Sequence, residues 1–133
     1  MKVLVDTSVW SLAFAGRKKS ESEPVKRLAR TVEDGEVVLL GVILQETLQA
    51  FRRELDFRRA AKALAVFPLL QLSRADYVEG ARIHRLCAGR GIVASTTDCQ
   101  IAAASVTNGC ALLTTDLDFS RIAEVCRLKI LRA

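Results

Sequence analysis

Four acids stand where a predicted strand ends or a predicted helix begins: Asp6, Glu46, Asp98 and Asp116. Asp6 stops the apolar run Val3-Leu4-Val5 and is followed by the hydroxyls of Thr7 and Ser8. Asp116 follows the apolar Ala111–Leu113 and two threonines, Glu46 comes six residues after Leu40, and Asp98 follows Ser95-Thr96-Thr97. A helix cap or a turn explains any one of them, but together they can reach one edge of a sheet. The only histidine is His84, and the four cysteines (Cys87, Cys99, Cys110 and Cys126) lie far apart with no CxxC pair, so zinc is not expected. Hard oxygen donors without such partners suit Mg²⁺, with Mn²⁺ as a substitute. Bridged to a phosphate, an ion of this kind supplies an acidified water as nucleophile and neutralises charge during in-line displacement. Thr7, Ser8 and Thr115 would add hydroxyl ligands or phosphate contacts.

Positioning four acids in this way requires a particular order of elements. Val3–Val5 is the β-branched run of a strand buried on both faces of a parallel sheet. A short helix is expected from Trp10 to Ala15, then a basic loop Gly16–Ser20. Ser22 is a good N-cap, with Pro24 just inside the helix that glycine ends at Asp34-Gly35. Glu36–Leu40 reads as a second strand. Gly41 then opens a helix in which Glu46 lies about 200° around from both Leu44 and Leu48, away from the apolar stripe. A helix over Glu54–Phe67 is stopped by Pro68, and a third strand is expected at Leu69–Leu72. Ser73 with Asp76 three residues on has capping-box spacing for the helix to Gly89. A small-residue helix through Ile101–Ala104 carries Asp98 in its first turn. A fourth strand covers Ala111–Thr114, a short helix runs to about Cys126, and a last strand covers Leu128–Leu131. In outline the order is βαβααβαβαβ, which argues for one α/β domain over residues 1–133, an α/β/α sandwich around a central, mostly parallel sheet.

Composition agrees with a single domain. A chain of 133 residues buries roughly two-thirds of its unfolded surface in one core. Its apolar runs fall short of a membrane span, and an acid at position 6 breaks any signal-peptide pattern, so a cytoplasmic protein with no membrane association is expected. The cysteines fall in apolar or helical patterns and fit reduced, mostly buried thiols. Net charge is +5; removing the four acids from the 15 Asp and Glu leaves 11 against 20 Lys and Arg, a surplus of nine. That describes an acidic hole in a basic surface, to which a polyanion would be drawn. Arg17, Lys18 and Lys19 in the first loop, and Arg52, Arg53, Arg58 and Arg59 along the basic arm made by the two successive helices after Gly41, are the candidate backbone contacts for such a polymer.

The motifs Val5-Asp6-Thr7-Ser8-Val9-Trp10, Gln45-Glu46, Thr97-Asp98-Cys99-Gln100-Ile101-Ala102-Ala103 and Leu113-Thr114-Thr115-Asp116-Leu117-Asp118-Phe119 resemble, in order and across the whole chain, the acidic motifs of PIN-domain nucleases, most closely VapC-type toxins of toxin–antitoxin pairs. The resemblance implies that Asp6, Glu46, Asp98 and Asp116 are the metal-binding, catalytic acids of a Mg²⁺-dependent endoribonuclease. It also implies a cognate antitoxin protein and a homodimer, for which Trp10, Phe14, Leu48 and Phe51 are candidate contacts. Asp118 matches the second acid of the last motif, but its place at the next helix's start makes N-capping its expected role.

Two other classes that gather acids at strand ends fit less well. A receiver domain needs a lysine ending a late strand, and Lys129 lies within one; a haloacid-dehalogenase-like phosphatase needs a second Asp two residues after the first, where Ser8 stands. The remaining alternative is a non-catalytic RNA-binding PIN-like domain, which metal dependence of cleavage separates from a nuclease.

Overall fold

The computed structural model describes residues 1–16 and 21–131. Five strands form the sheet: β1 (Val3–Val5), β2 (Val37–Leu40), β3 (Leu69–Leu70), β4 (Ala111–Leu113) and β5 (Ile130–Leu131). Their order is β3-β2-β1-β4-β5, and every neighbouring pair is parallel. The register sets Val3 beside Val37 and Ala111, and Leu112 beside Ile130. Winding runs outward from β1 through β2 to β3, then crosses back to β4 on β1's other side. The carboxyl ends of β1 and β4 therefore flank a topological switch point, where an open parallel sheet leaves a crevice. All three residues of β1 are at most 3% exposed, as a strand covered on both faces requires.

The described helices are α1 (Thr7–Ala13), α2 (Glu23–Glu33), α3 (Gly41–Gln49), α4 (Glu54–Leu64), α5 (Arg74–Gly89), α6 (Thr96–Thr107) and α7 (Asp118–Ile122). Two crossovers thus carry more helix than the outline order allowed: α1 and α2 join β1 to β2, and α5 and α6 join β3 to β4. Helix α1 begins at Thr7 rather than Trp10, because the Asp6 carbonyl already accepts the Val9 and Trp10 N–H groups at 3.0 and 3.2 Å. The third and last strands are shorter than expected, since only Leu69–Leu70 and Ile130–Leu131 find a partner strand. Gly35 and Gly109, each at positive φ, turn the chain from a helix into β2 and β4.

Helix α6 lies in the core, with Ile101, Ala102, Ala103 and Ala104 at most 1% exposed. Small side chains let α5 come close; a Cβ added at Gly80 would sit 3.5 Å from the Cys99 carbonyl oxygen. The helices are also clamped at their far ends. The capping box expected at Ser73 is formed, and the buried Asp76 carboxylate accepts the Ser73 N–H at 2.8 Å and the hydroxyl of Thr107 at the end of α6. The four cysteines are free, three of them buried; burial pushes the Cys99 thiol up to about 11, so it packs as a neutral group. Trp10 is 4% exposed, with its ring against Phe14 and Phe67 at centroid distances of 6.3 and 5.6 Å. It belongs to the core and is not available as a partner contact; Phe14, Leu48 and Phe51 are partly covered.

Candidate metal centre

Two strand ends and one helix start supply the site. The Asp6 N–H bonds the Leu113 carbonyl at 2.9 Å, carrying the β1–β4 pairing one residue past β1. Its side chain makes no cap hydrogen bond to α1. Instead its Oδ2 accepts the Ser8 hydroxyl at 2.8 Å and the Thr114 hydroxyl at 2.9 Å. Each hydroxyl accepts in turn from the loop after β4: Ser8 Oγ from the Thr115 N–H at 3.1 Å, and Thr114 Oγ1 from the Asp116 N–H at 3.0 Å. Asp6 is thereby fixed to the backbone that carries Asp116. Its burial, at 6% exposure, is tolerable for a carboxylate because two hydroxyls hold it.

Asp98 is held by the start of α6, its N–H donating to Ser95 Oγ at 3.0 Å. Asp98, Asp116 and Asp118 each offer a carboxylate oxygen to a group whose members all lie within 4.8 Å of one another. Asp118 does not cap α7. The Asp116 Oδ1 accepts the Asp118 N–H at 2.9 Å, so Asp116 takes the turn-forming role and leaves the Asp118 carboxylate to the group. Asp6 and Glu46 stand outside this tight trio but within its field. Burial raises the Asp98 pKa first, a hydrogen bond with Ser95 opposes, and the charges of Asp116, Asp6 and Asp118 add to the rise. Glu46, half-buried in α3, is raised by burial and then by the charge of Asp6. The five acids converge on the carboxyl edge of the sheet, at the switch point.

The PIN domain family model matches residues 3–125. The chain belongs to the PIN-domain family. Among solved structures, this PIN domain is similar to VapBC2 from Rickettsia felis bound to a DNA fragment from its promoter, with a TM-score of 0.79 and 12% identity over 98% of both chains. FitAcB from Neisseria gonorrhoeae matches at 0.75 and 17% identity, over 98% of this chain and 96% of that one. VapC20 from Mycobacterium tuberculosis, a Sarcin-Ricin loop cleaving toxin, matches at 0.66 and 23% identity, over 90% of this chain and 93% of that one. These likenesses concern the fold.

The donor chemistry of this PIN domain fits a hard divalent cation. Three carboxylates with mutually close oxygens, among them an Asp98 whose pKa is raised by burial and further by its neighbours' charges, are what an unneutralised cation site presents. Two residues that position the site were not singled out by sequence: Thr114, counted only as the end of a strand, and Ser95, passed over in a run of hydroxyls. The signal was present in both, a hydroxyl within three residues of a site acid. Of the proposed supporting groups, Ser8 bonds Asp6, Thr115 contributes its N–H, and the Thr7 hydroxyl is buried with no hydrogen-bond partner among the described residues. Arg52, Arg53, Arg58 and Arg59 are exposed around the start of α4, with Arg58 paired to Glu54 at 3.1 Å. Arg17, Lys18 and Lys19 lie outside the described residues.

Proposed function

We propose that this PIN domain is a divalent-metal-dependent endoribonuclease, the toxin half of a toxin–antitoxin pair acting in the cytoplasm. The observation that carries the proposal is the convergence of Asp98, Asp116 and Asp118 beside a buried, hydroxyl-anchored Asp6 at the switch point of the sheet. Asp6, Glu46, Asp98 and Asp116, with Asp118 added, would hold Mg²⁺ or Mn²⁺. When bound, the metal supplies an acidified water and charge neutralisation at the phosphodiester. Ser8 and Thr114 keep the Asp6 carboxylate in one orientation, and Ser95 keeps Asp98 at the mouth of α6. The basic surplus gathers the RNA backbone around an opening that repels it until a cation is present. A cognate antitoxin fits the company of VapBC complexes among the similar structures, and a homodimer is part of the same proposal.

The test is cleavage of single-stranded or loop RNA in Mg²⁺, lost in EDTA and restored by Mn²⁺, with products ending in 5′-phosphate and 3′-hydroxyl. Cleavage at full rate in EDTA, or cyclic phosphate ends, would refute the proposal, since the latter makes the RNA's own 2′-hydroxyl the nucleophile. RNA binding without cleavage in any divalent ion would leave the non-catalytic alternative.

The arginines around α4 give a separate expectation. Changing Arg52, Arg53, Arg58 and Arg59 together to Gln is expected to weaken binding across all RNA sequences, and to reduce the slope of log affinity against log salt by about 0.7 for each phosphate that the variant no longer neutralises. The surface pair of Arg58 with Glu54 is worth little and does not prevent such binding. Salt titrations of wild type and variant that superimpose in slope would show that these residues face elsewhere.

A further inference from the structure

A cleft between α5 and α6 takes no part in the site above. Tyr77, His84 and Arg85 from α5 and Thr96 and Gln100 from α6 line a volume of about 340 Å³, with Gly80 and Cys99 beneath. That is the lower end of small-ligand sites, sized for a single ring system with its sugar rather than for a peptide. No acidic residue lines it. Tyr77 is 53% exposed, and among the described residues the side chains of Tyr77, His84, Arg85 and Gln100 have no hydrogen-bond or ion-pair partner. An aromatic ring, a guanidinium, an imidazole and an amide thus line one cleft without satisfying one another. Such a set matches an unpaired nucleobase: the ring stacks on its face, and the amide offers both donor and acceptor to its edge.

The cleft's position gives the base a place on the strand. Thr96 and Gln100 lie two residues either side of Asp98, so helical geometry turns both about 160° around α6 from it. The acid group and the cleft therefore flank the first turn of α6, separated by about the 10 Å width of a helix. At a rise of about 3.4 Å per stacked nucleotide, roughly three nucleotides cover that distance.

We propose that the cleft between α5 and α6 is a base-recognition subsite, taking one unpaired nucleobase of the RNA whose scissile phosphate lies at the acid group. Tyr77 stacks on the base, Gln100 reads its edge, and Arg85 meets the neighbouring phosphate. The identity of the ligand rests on the nuclease proposal, but its occupancy is measurable without cleavage. The four labelled homopolymers rA8, rC8, rG8 and rU8 are titrated in EDTA against wild type, Tyr77→Ala, Tyr77→Phe and Gln100→Ala, with fluorescence anisotropy as readout. Wild type is expected to rank the four bases. Tyr77→Ala loses about tenfold in affinity for all of them, Tyr77→Phe retains it, and Gln100→Ala flattens the ranking.

Unchanged affinities and ranking in Tyr77→Ala and Gln100→Ala overturn the subsite, even where wild type cuts RNA; failure of wild type to bind any of the four does the same. Tyr77-dependent binding with no cleavage in any divalent ion leaves the subsite standing and removes the nuclease. Conversion of a free dimer to a monomer by Tyr77→Ala, seen by sedimentation, makes the face a contact between copies and overturns the proposal. If Tyr77→Ala melts early, Gln100→Ala decides alone.

Discussion

Replacing Asp98 by Asn is expected to reduce RNA cleavage by more than about a hundredfold, because even groups that only orient a metal's ligands are worth 10–100-fold. The same substitution is expected to raise the metal-free melting temperature by a few degrees at neutral pH. The Asp98 carboxyl is held above the ordinary aspartate range by burial, and further by the charges of Asp116, Asp6 and Asp118. A group whose folded pKa is raised binds more protons folded than unfolded. Its contribution to stability is therefore fully present below the unfolded pKa and lost as pH rises through the folded one. At neutral pH the ionised Asp98 burdens the metal-free fold, and Asn removes that burden while keeping the backbone N–H bond to Ser95. Mg²⁺ reverses the order: at one hundred times its dissociation constant it stabilises the wild type by about 2.7 kcal/mol, and the variant gains much less. Melting curves of both proteins with and without Mg²⁺ check this. A variant that melts lower than wild type without metal, yet gains equally from Mg²⁺, would reduce Asp98 to a helix-start residue.

Asp76→Ala is expected to cost about 2–3 kcal/mol of stability from a lost capping box and a stranded Ser73 N–H, or on the order of 10 °C in melting temperature for a domain of this size. Thr107 softens the loss, since its hydroxyl also bonds the Ala103 carbonyl at 2.9 Å. The Asp76 pKa is lowered chiefly by the Thr107 hydroxyl and also by its bonds from Ser73, against the opposing effect of burial. Its stabilisation is present above the unfolded pKa, near 4, and is lost as pH falls through the lower folded value. Wild-type stability should accordingly fall more steeply in acid than that of the variant, as read by urea unfolding between pH 2 and 5. Cleavage at permissive temperature should stay within a few-fold, because Asp76 and Thr107 clamp α6 at the end opposite Asp98. Equal acid limbs in the two proteins would show that the carboxylate carries no such linkage.

The sequence made the sheet's inner strands and the placement of Asp6, Asp98 and Asp116 legible because each acid interrupts a strong local pattern: a buried strand, a helix start, a strand followed by threonines. The capping box at Ser73 was legible for the same reason. What escaped depended on contacts distant in sequence. Trp10 reads as a surface aromatic on a short helix, yet Phe67, 57 residues away, completes its packing. Asp118 looks like a cap until the chain's turn hands that role to Asp116. Thr114 and Ser8 are 106 residues apart, and only the pairing of β1 with β4 shows that both serve Asp6. Short strand ends were missed because pairing, rather than propensity, sets their length.

The two-residue strand β3 forms one margin of the sheet and follows Pro68, which has no N–H of its own. The Pro68 carbonyl is already spent on the Leu39 N–H at 2.8 Å. A margin so brief offers too few free amide groups to template the strand of another molecule. The fold is thus protected on that side against the edge-to-edge growth that leads to fibrils, and association there is left to side chains.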